Sequence, residues 1–277
     1  MWKKIFYGLF ILLFILAIAS IFTKDKIRTT PYNLKNDGCI LLKNVLSPHD
    51  IETLVKSCKA GNYKKAKEYI LQQSHIHKAI HKHVSKDYGF QDYILIIQKS
   101  AIHTCHRDYN GDLFNKGQEN PSYTILIYLE DMEKCLGVIP KSHHHEHSHS
   151  INITNKLEHV ACNKGDIFMF NANLIHVGAL NEKEDNLRIQ MKITHKEDVD
   201  ILDYYEDYNK VLKQSNNLPK PLVKFQRDVS CMFPYLSTLT QTETKKNGVE
   251  KPQGWVTRTF SYLFYGNADF YNLKNAI

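Results

Sequence analysis

Seven short apolar segments between residues 93 and 194 constrain the fold of this chain more than any other feature of its sequence. Each is rich in β-branched or aromatic residues, and turn-forming residues separate most of them. The segments are 93–106, 122–129, 135–140, 156–162, 166–171, 174–180 and 187–194. Short strands at this spacing are typical of an antiparallel double-sheet barrel of the jelly-roll or cupin type, so we predict a mainly β fold.

Helices are predicted to flank this barrel. After a strand at 38–45, Ser47-Pro48-His49-Asp50 combines an N-cap serine, a proline at the first helical position and an acid three residues after the cap. This helix is predicted to end near Gly61, and residues 63–85 are predicted to be helical too. Residues 201–212 have the spacing of an amphipathic helix, whereas the aromatic tail beyond them has no clear period.

Residues 5–22 form a run of eighteen residues without a charge. As a helix they would span about 27 Å, close to the hydrocarbon core of a bilayer, so we predict a single-pass N-terminal transmembrane helix. A cleaved signal peptide is the alternative, because Ala17-Ile18-Ala19 is an acceptable cleavage site. In both cases the chain reaches a membrane, and we expect an extracytosolic or lumenal domain in which Asn152 begins a usable glycosylation sequon.

The domain organisation follows from these segments. Residues 1–23 are predicted to be the anchor or signal peptide, and residues 24–36 a polar stalk. Residues 37–195 are predicted to be the β domain with its N-terminal helices, and residues 196–277 a helical or irregular extension packed on that domain.

Charge and cysteine content exclude several classes of protein. The 36 basic residues are scattered among 29 acidic ones, so the net charge of +7 makes no dense basic stripe, and nucleic-acid binding is not expected. The six cysteines include no C-x-x-C pair, which argues against a zinc ribbon or a thioredoxin-type redox site. Their pairing into disulfides stays open.

The candidate metal ligands begin with His106-Arg107-Asp108, at the end of the first long strand. On an extended chain, residues two apart project to the same face, so His106 and Asp108 can bind one ion together. His176, in another predicted strand, is the best candidate for a third ligand. Two imidazoles and one carboxylate leave three positions of the metal open, which suits non-haem iron(II) that binds a co-substrate and dioxygen together.

Arg188 is predicted to lie beside this metal. If segments 174–180 and 187–193 form a hairpin, His176 lies directly opposite Arg188, and neighbouring strands are about 4.8 Å apart. The guanidinium could then take the distal carboxylate of a dicarboxylic keto acid while the keto-acid end chelates the metal.

Three blocks of the sequence resemble the phytanoyl-CoA dioxygenase-like family, in the order in which that family has them. They are NDGCILLKNVLSPHDIETL, LGVIPKSHH and GDIFMFNANLIHVGALNEKEDNLRIQMKIT, which together cover roughly residues 37–195. The resemblance implies a double-stranded β-helix, an iron(II) ion, and dioxygen and 2-oxoglutarate as co-substrates, with 2-oxoglutarate converted to succinate and carbon dioxide. By position, it makes His106, Asp108 and His176 the iron ligands and Arg188 the 2-oxoglutarate clamp.

The sequence departs from this family at two positions. Lys141 replaces the usual glycine of the P-G-S-H turn, and Gln190 stands where related oxygenases often have a serine that shares the distal carboxylate. Tyr123 or Thr124 could supply that hydroxyl instead. Asp108 is retained, which favours hydroxylation over the halogenation carried out by relatives with a small residue there.

Other eye-catching residues have simpler interpretations. His75, His77, His81 and His83 are predicted to form a solvated helix face, and most of the run His143–His149 a loop at the barrel mouth, with His143 at its rim. Cys105 is predicted to serve packing. The tripeptide at 106–108 does not begin a kinase catalytic loop, because Leu113 occupies the position of the required asparagine.

The resulting hypothesis is an iron(II)- and 2-oxoglutarate-dependent dioxygenase that hydroxylates a C–H bond, with ascorbate as an optional reductant. Two alternatives stay open: a non-catalytic membrane-tethered β-barrel domain that binds a ligand or partner, and a cupin-type metalloenzyme without 2-oxoglutarate. The substrate could be a small molecule, a lipid, a glycan or a protein.

Overall fold

The computed structural model describes residues 7, 8, 11, 15, 25–99, 104–108, 119–144, 157–181, 185–200, 208–234, 254–270 and 273–275. The strands in these ranges are β1 (Lys26–Ile27), β2 (Cys39–Leu42), β3 (Tyr88–Phe90), β4 (Tyr93–Lys99), β5 (Tyr123–Tyr128), β6 (Met132–Val138), β7 (Glu158–Cys162), β8 (Ile167–Asn171), β9 (His176–Gly178), β10 (Asp185–His195), β11 (Tyr208–Leu212) and β12 (Lys274–Asn275). The helices are α1 (Leu34–Asp37), α2 (Pro48–Lys59), α3 (Tyr63–Gln72), α4 (Ser74–His81), α5 (Lys220–Met232) and α6 (Trp255–Tyr265).

Two sheets form the centre of the molecule. The larger sheet has the strand order β12-β11-β4-β10-β5-β8-β2, with β3 also paired to β10, and the smaller sheet has the order β1-β7-β6-β9. Along the chain, β5 and β8 lie in the larger sheet, β6, β7 and β9 in the smaller one, and β10 in the larger sheet again. This repeated crossing between two facing sheets confirms the prediction of a mainly β, cupin-like core with flanking helices.

The two faces of the larger sheet build separate cores. Residues such as Leu126 and Tyr128 of β5 point into the space between the sheets, where they join one buried cluster. Their neighbours Ile125 and Ile127 point outward and pack with helices α2, α3 and α4 in a second cluster. Because both faces are covered, β5 is a nearly continuous apolar run rather than an alternating one.

The predicted start of α2 is confirmed. Ser47 accepts a hydrogen bond from the Asp50 backbone, while the Asp50 carboxylate accepts from the Ser47 backbone, which makes a complete capping box. The segment 63–85, predicted to be helical, contains the two helices α3 and α4, and its last residues lie beyond them. Gln73 adopts an extended conformation between α3 and α4, and its backbone N–H bonds to Ile70.

The prediction of an amphipathic helix over 201–212 is wrong for its described part, because residues 208–212 form strand β11. This strand pairs in parallel with β4, and the ring of Tyr208 stacks on that of Tyr93 with centroids 4.6 Å apart. The open edge of β4 supplies backbone partners that local spacing does not reveal, so tertiary pairing decides the conformation. The C-terminal extension therefore contributes directly to the larger sheet.

The predicted stalk is part of the folded domain. Lys26–Ile27 pair in parallel with β7, and Arg227 of α5 donates to the Asp25 carboxylate at 2.6 Å. The predicted anchor at 5–22 lies almost entirely outside the described residues, and so does the sequon at Asn152. None of the helices described here is long and apolar enough to cross a bilayer.

Cys105 forms a disulfide with Cys231 of α5, so the prediction that it only packs is wrong. The two cysteines are 126 residues apart in sequence, and their Cα atoms are 4.8 Å apart. Sequence spacing could not select this pair, because α5 was not predicted. The link holds the C-terminal region against the residue that precedes His106.

We expect Cys231→Ser to lower the free energy of unfolding by about 2–5 kcal/mol, because the broken link frees a long loop in the unfolded chain. Urea titration measures this loss. Reductant should destabilise the wild-type protein by a similar amount and leave Cys231→Ser unchanged. Equal effects of reductant on both proteins would contradict a structural role for this disulfide.

Candidate metal centre

His106 and His176 are brought together by a backbone bridge. Each residue's N–H donates to the other's carbonyl oxygen at 2.9 Å, which joins His106 to the edge of the smaller sheet beside β9. Asp108 follows two residues later. Its Oδ1 atom lies 3.5 Å from His176 Nε2 and 3.8 Å from His106 Nε2.

Both imidazoles are oriented by their second nitrogen. His106 Nδ1 lies 2.9 Å from the Thr104 carbonyl oxygen, and His176 Nδ1 lies 3.0 Å from that of Leu174. A carbonyl only accepts, so each Nδ1 carries the proton and each Nε2 presents a lone pair toward Asp108.

The protonation of these groups suits metal binding. Burial lowers the pKa of His106 to about 3, and it also lowers the pKa of His176. Burial alone would raise the pKa of Asp108, but Lys192, the two imidazoles and the Thr124 hydroxyl together bring it below its usual range. Two neutral imidazoles and one carboxylate result, which is the protonation that a divalent metal requires of its ligands.

The three side chains are close enough to hold one ion. Their ligating atoms all lie within 4.8 Å of one another, and no other group of three such residues occurs in the part of the chain that the structure describes. A set of two histidines and one carboxylate is the donor set of non-haem iron(II) sites with open coordination positions. The residues present therefore fit such an ion.

The predicted hairpin between His176 and Arg188 is wrong. Strand β9 pairs with β6 in the smaller sheet, whereas β10 pairs with β4 and β5 in the larger sheet. The chain changes sheets between the two strands, so turn residues around Glu182 do not imply local pairing. Arg188 instead lies opposite Tyr128 of β5, with its side chain in the interior.

Arg188 is a buried cation without a carboxylate partner among the described residues. Its guanidinium donates to the Asn186 side chain, while its Nε atom has no partner. The neighbouring Tyr128 hydroxyl is fully buried and has no oxygen or nitrogen partner among the described residues. The thiols of Cys135 and Cys162 complete this group, and burial lowers the pKa of Arg188.

The two residues predicted to assist Arg188 lie elsewhere. Tyr123 contributes to the outer face of the sheet, where its ring packs 5.4 Å from that of Tyr88. Thr124 points inward but donates its hydroxyl to Asp108 Oδ2 rather than to a group near Arg188. The register of β5 against β10 makes Tyr128 the hydroxyl beside Arg188. Alternation of faces along the predicted strand 122–129 separates Tyr123 from Thr124 and Tyr128, but only the cross-strand register selects Tyr128.

Lys192 was not predicted as a site residue. Its ammonium lies 3.8 Å from Asp108 Oδ2 and 5.5 Å from the centroid of the Tyr93 ring. Gln190, between Arg188 and Lys192 on the same face of β10, donates to the Tyr93 hydroxyl at 3.2 Å. The two-residue alternation from Arg188 through Gln190 to Lys192 is the sequence signal that could have found this lysine.

The P-K-S-H turn supports the site from outside. Lys141 has a φ of 70°, a left-handed conformation that favours glycine and explains why the resembling family has glycine at this position. Ser142 accepts a hydrogen bond from the Ile175 backbone at 2.8 Å, next to His176. His143 Nε2 lies 3.3 Å from the Lys35 carbonyl oxygen, whereas 145–149 lie outside the described residues.

The histidines of α4 make local contacts instead of a metal site. His77 and His81 each lie within hydrogen-bond distance of a backbone carbonyl, those of Leu71 and Tyr88. Arg107 points away from the metal ligands and donates to the carbonyl oxygens of Ser142 and Asn173.

No protein-family model and no curated protein matches this chain. Among solved structures, AviO1 from Streptomyces viridochromogenes is similar with a TM-score of 0.50 and 15% identity, over 58% of this chain and 91% of AviO1. SnoN, a non-haem α-ketoglutarate-dependent epimerase from nogalamycin biosynthesis, gives a TM-score of 0.49 and 12% identity over 59% of this chain and 78% of SnoN. HygX from Streptomyces hygroscopicus, with nickel and 2-oxoglutarate bound, gives a TM-score of 0.46 and 13% identity over 58% of this chain and 84% of HygX. The chain therefore shares its fold with AviO1.

Proposed function

We propose that this protein is an iron(II)- and 2-oxoglutarate-dependent dioxygenase of the phytanoyl-CoA dioxygenase-like type. The observation that carries the proposal is a candidate metal-ligand triad and a buried guanidinium, without a carboxylate partner among the described residues, that face the same space between two sheets. When bound, iron(II) and 2-oxoglutarate would supply the oxidising chemistry, in which dioxygen converts 2-oxoglutarate to succinate and carbon dioxide and a substrate C–H bond is hydroxylated.

The arrangement of charges supports a dicarboxylic co-substrate. A buried cation is costly without a counter-charge, and Arg188 has none among the described residues. The planar guanidinium can bind a carboxylate through two parallel hydrogen bonds. The Tyr128 hydroxyl, which also lacks an oxygen or nitrogen partner there, can donate a third. One carboxylate at this position would therefore satisfy both orphaned groups.

Lys192 provides a second positive charge at the metal end of the same strand face. It lies four positions after Arg188, about 13 Å along the strand. The ammonium of Lys192 balances part of the charge of Asp108, and it can also attract the carboxylate of a metal-chelating keto acid. The ring of Phe170 packs against the imidazole of His176, and the two ring centroids are 4.6 Å apart.

We also propose that the domain is held at a membrane on the extracytosolic side. The uncharged run at 5–22 supports attachment, and the disulfide Cys105–Cys231 supports an oxidising compartment. A fall in mass after enzymatic deglycosylation, lost in Asn152→Gln, would support this orientation. A cytosolic signal from a reporter fused to the C-terminus would contradict it.

The test of the activity uses the full chain in detergent, with iron(II), ascorbate and 2-oxoglutarate but without an added substrate. We expect slow succinate formation that requires both iron and dioxygen. Anaerobic titration should also show saturable binding of 2-oxoglutarate that depends on the metal. Iron binding without 2-oxoglutarate binding would favour a metalloenzyme of another kind, and binding of neither would favour a non-catalytic domain.

Tyr128→Phe should raise the dissociation constant of 2-oxoglutarate about 10-fold, because it removes one hydrogen bond of about 1.5 kcal/mol to a charged acceptor. Iron affinity should stay unchanged. Tyr123→Phe is the matched control, since its hydroxyl belongs to the outer face of the same strand and should not affect either constant. An equal loss in both variants would contradict the assignment of Tyr128.

A further inference from the structure

Helix α6 carries an apolar face that none of the described residues covers. Trp255 is 79% exposed, Tyr262 63% and Leu263 56%, and Val256 and Phe260 are also exposed. At 100° per residue, these five side chains and Thr259 occupy a continuous arc of roughly 160° around the helix. Such a wide contiguous arc marks an interaction surface rather than scattered apolar residues.

The opposite side of α6, in contrast, is buried in the protein. Ser261 and Tyr265 are inaccessible, and the ring of Tyr265 stacks on that of Phe270 with centroids 3.9 Å apart. The helix is therefore fixed to the domain by one face while its second apolar face points outward. This arrangement needs a second apolar surface outside the domain.

The segment that follows the N-terminal apolar run in the sequence is linked to this helix. Arg227 of α5 donates to the carboxylate of Asp25, which follows Phe22, the end of the run, by three residues. Gln226, the neighbour of Arg227, donates to the Leu263 carbonyl oxygen of α6 at 2.9 Å. Two consecutive residues of α5 thus link Asp25 to Leu263 of α6.

We propose that the exposed face of α6 lies on the surface of the lipid bilayer that residues 5–22 enter. This inference rests on the proposed membrane attachment. Trp and Tyr side chains have an apolar body and a polar tip, which suits them to the boundary between acyl chains and headgroups. The face would give the domain a second contact with the membrane and fix its orientation, which a single tether cannot do.

The test uses the intrinsic fluorescence of Trp255 in the full chain. The sequence has two tryptophans, so Trp2→Phe leaves Trp255 as the single tryptophan, which is excited selectively over the tyrosines at the red edge of the absorption band. In phosphatidylcholine vesicles brominated near the headgroup end of the acyl chains, we expect about a twofold fall in emission, because interfacial helices bury their apolar face about 5–10 Å deep. Iodide in the water phase should quench Trp255 weakly.

Two sets of variants make the test specific. Val256→Lys with Leu263→Lys replaces exposed residues only, and should restore emission in brominated vesicles without loss of folding. A control emitter, Leu71→Trp with Trp2→Phe and Trp255→Phe, places the tryptophan on α3 at a site that is 37% exposed. It should be quenched by iodide and not by brominated lipid.

Each contrary outcome has a distinct meaning. Protein that floats with the vesicles while iodide quenches Trp255 as strongly as the control emitter overturns this inference alone. Protein in which neither quencher reaches Trp255 also overturns this inference, because the N-terminal apolar run or a second copy of the chain then covers the face. Protein that does not float at all overturns both this inference and the proposed attachment, but leaves the dioxygenase proposal unaffected.

Discussion

Asp108→Ala should lower iron(II) affinity at least about 100-fold and abolish metal-dependent succinate formation, the largest effect we expect from a single substitution. The variant removes the only anionic ligand and leaves two neutral imidazoles beside the positive charge of Lys192. Changes outside the ligand set already lower metal affinity about 10- to 100-fold, so loss of a ligand should cost at least about 100-fold. Anaerobic iron titration and succinate assays measure the two losses.

Two further variants define the cause of this loss. Thr124→Val keeps all three ligands but removes the hydroxyl that orients Asp108, so its iron affinity should fall less. Asp87→Ala removes an aspartate that pairs with the exposed Lys196, and it should bind iron like the wild type. Normal iron binding by Asp108→Ala would exclude the proposed ligand set.

Arg188→Met should raise the dissociation constant of 2-oxoglutarate about 100-fold, while iron affinity stays within about twofold of the wild type. The expected loss corresponds to about 3 kcal/mol, as for a bidentate bond between a guanidinium and a carboxylate. Arg188→Lys keeps the charge without the planar pair of donors, so it should restore only part of the affinity. Anaerobic titration of the metal-loaded proteins with 2-oxoglutarate measures its dissociation constant for the wild type, Arg188→Met and Arg188→Lys.

Arg188→Met should also change the stability of the protein, in the favourable direction. Because Arg188 is a buried cation without a carboxylate partner among the described residues, Arg188→Met should stabilise the ligand-free protein. Its thermal midpoint should therefore rise, while added 2-oxoglutarate should no longer raise it further. A protein that is destabilised and still binds 2-oxoglutarate normally would show that Arg188 has a structural role only.

Sequence reasoning predicted the strands well where both their faces are buried. The predicted segments 122–129 and 166–171 are apolar runs whose ends lie within one residue of those of β5 and β8, and the capping box of α2 was predicted residue by residue. These features depend on local residue types and spacing. Pairing between strands does not, which is why the predicted hairpin of β9 and β10 was wrong.

In the candidate site too, local sequence patterns were predictive and contacts between distant strands were not. The spacing of His106 and Asp108, together with the family resemblance, predicted the three residues that the structure brings together. The hydroxyl near Arg188 was assigned to Tyr123 or Thr124, because no local pattern gives the register of β5 against β10. Alternation along β10 places Lys192 on the same strand face as Arg188, but its distance from Asp108 depends on the packing of segments far apart in sequence.

The bridge between His106 and His176 would couple metal binding to the folding of the smaller sheet. The ligands come from segments 70 residues apart in the chain, and the same two residues that would hold the ion also close the edge of the smaller sheet. Any ion held by both imidazoles therefore contributes its binding free energy to the closure of that edge. The supply of iron would then govern not only turnover but also how long each molecule survives against proteases.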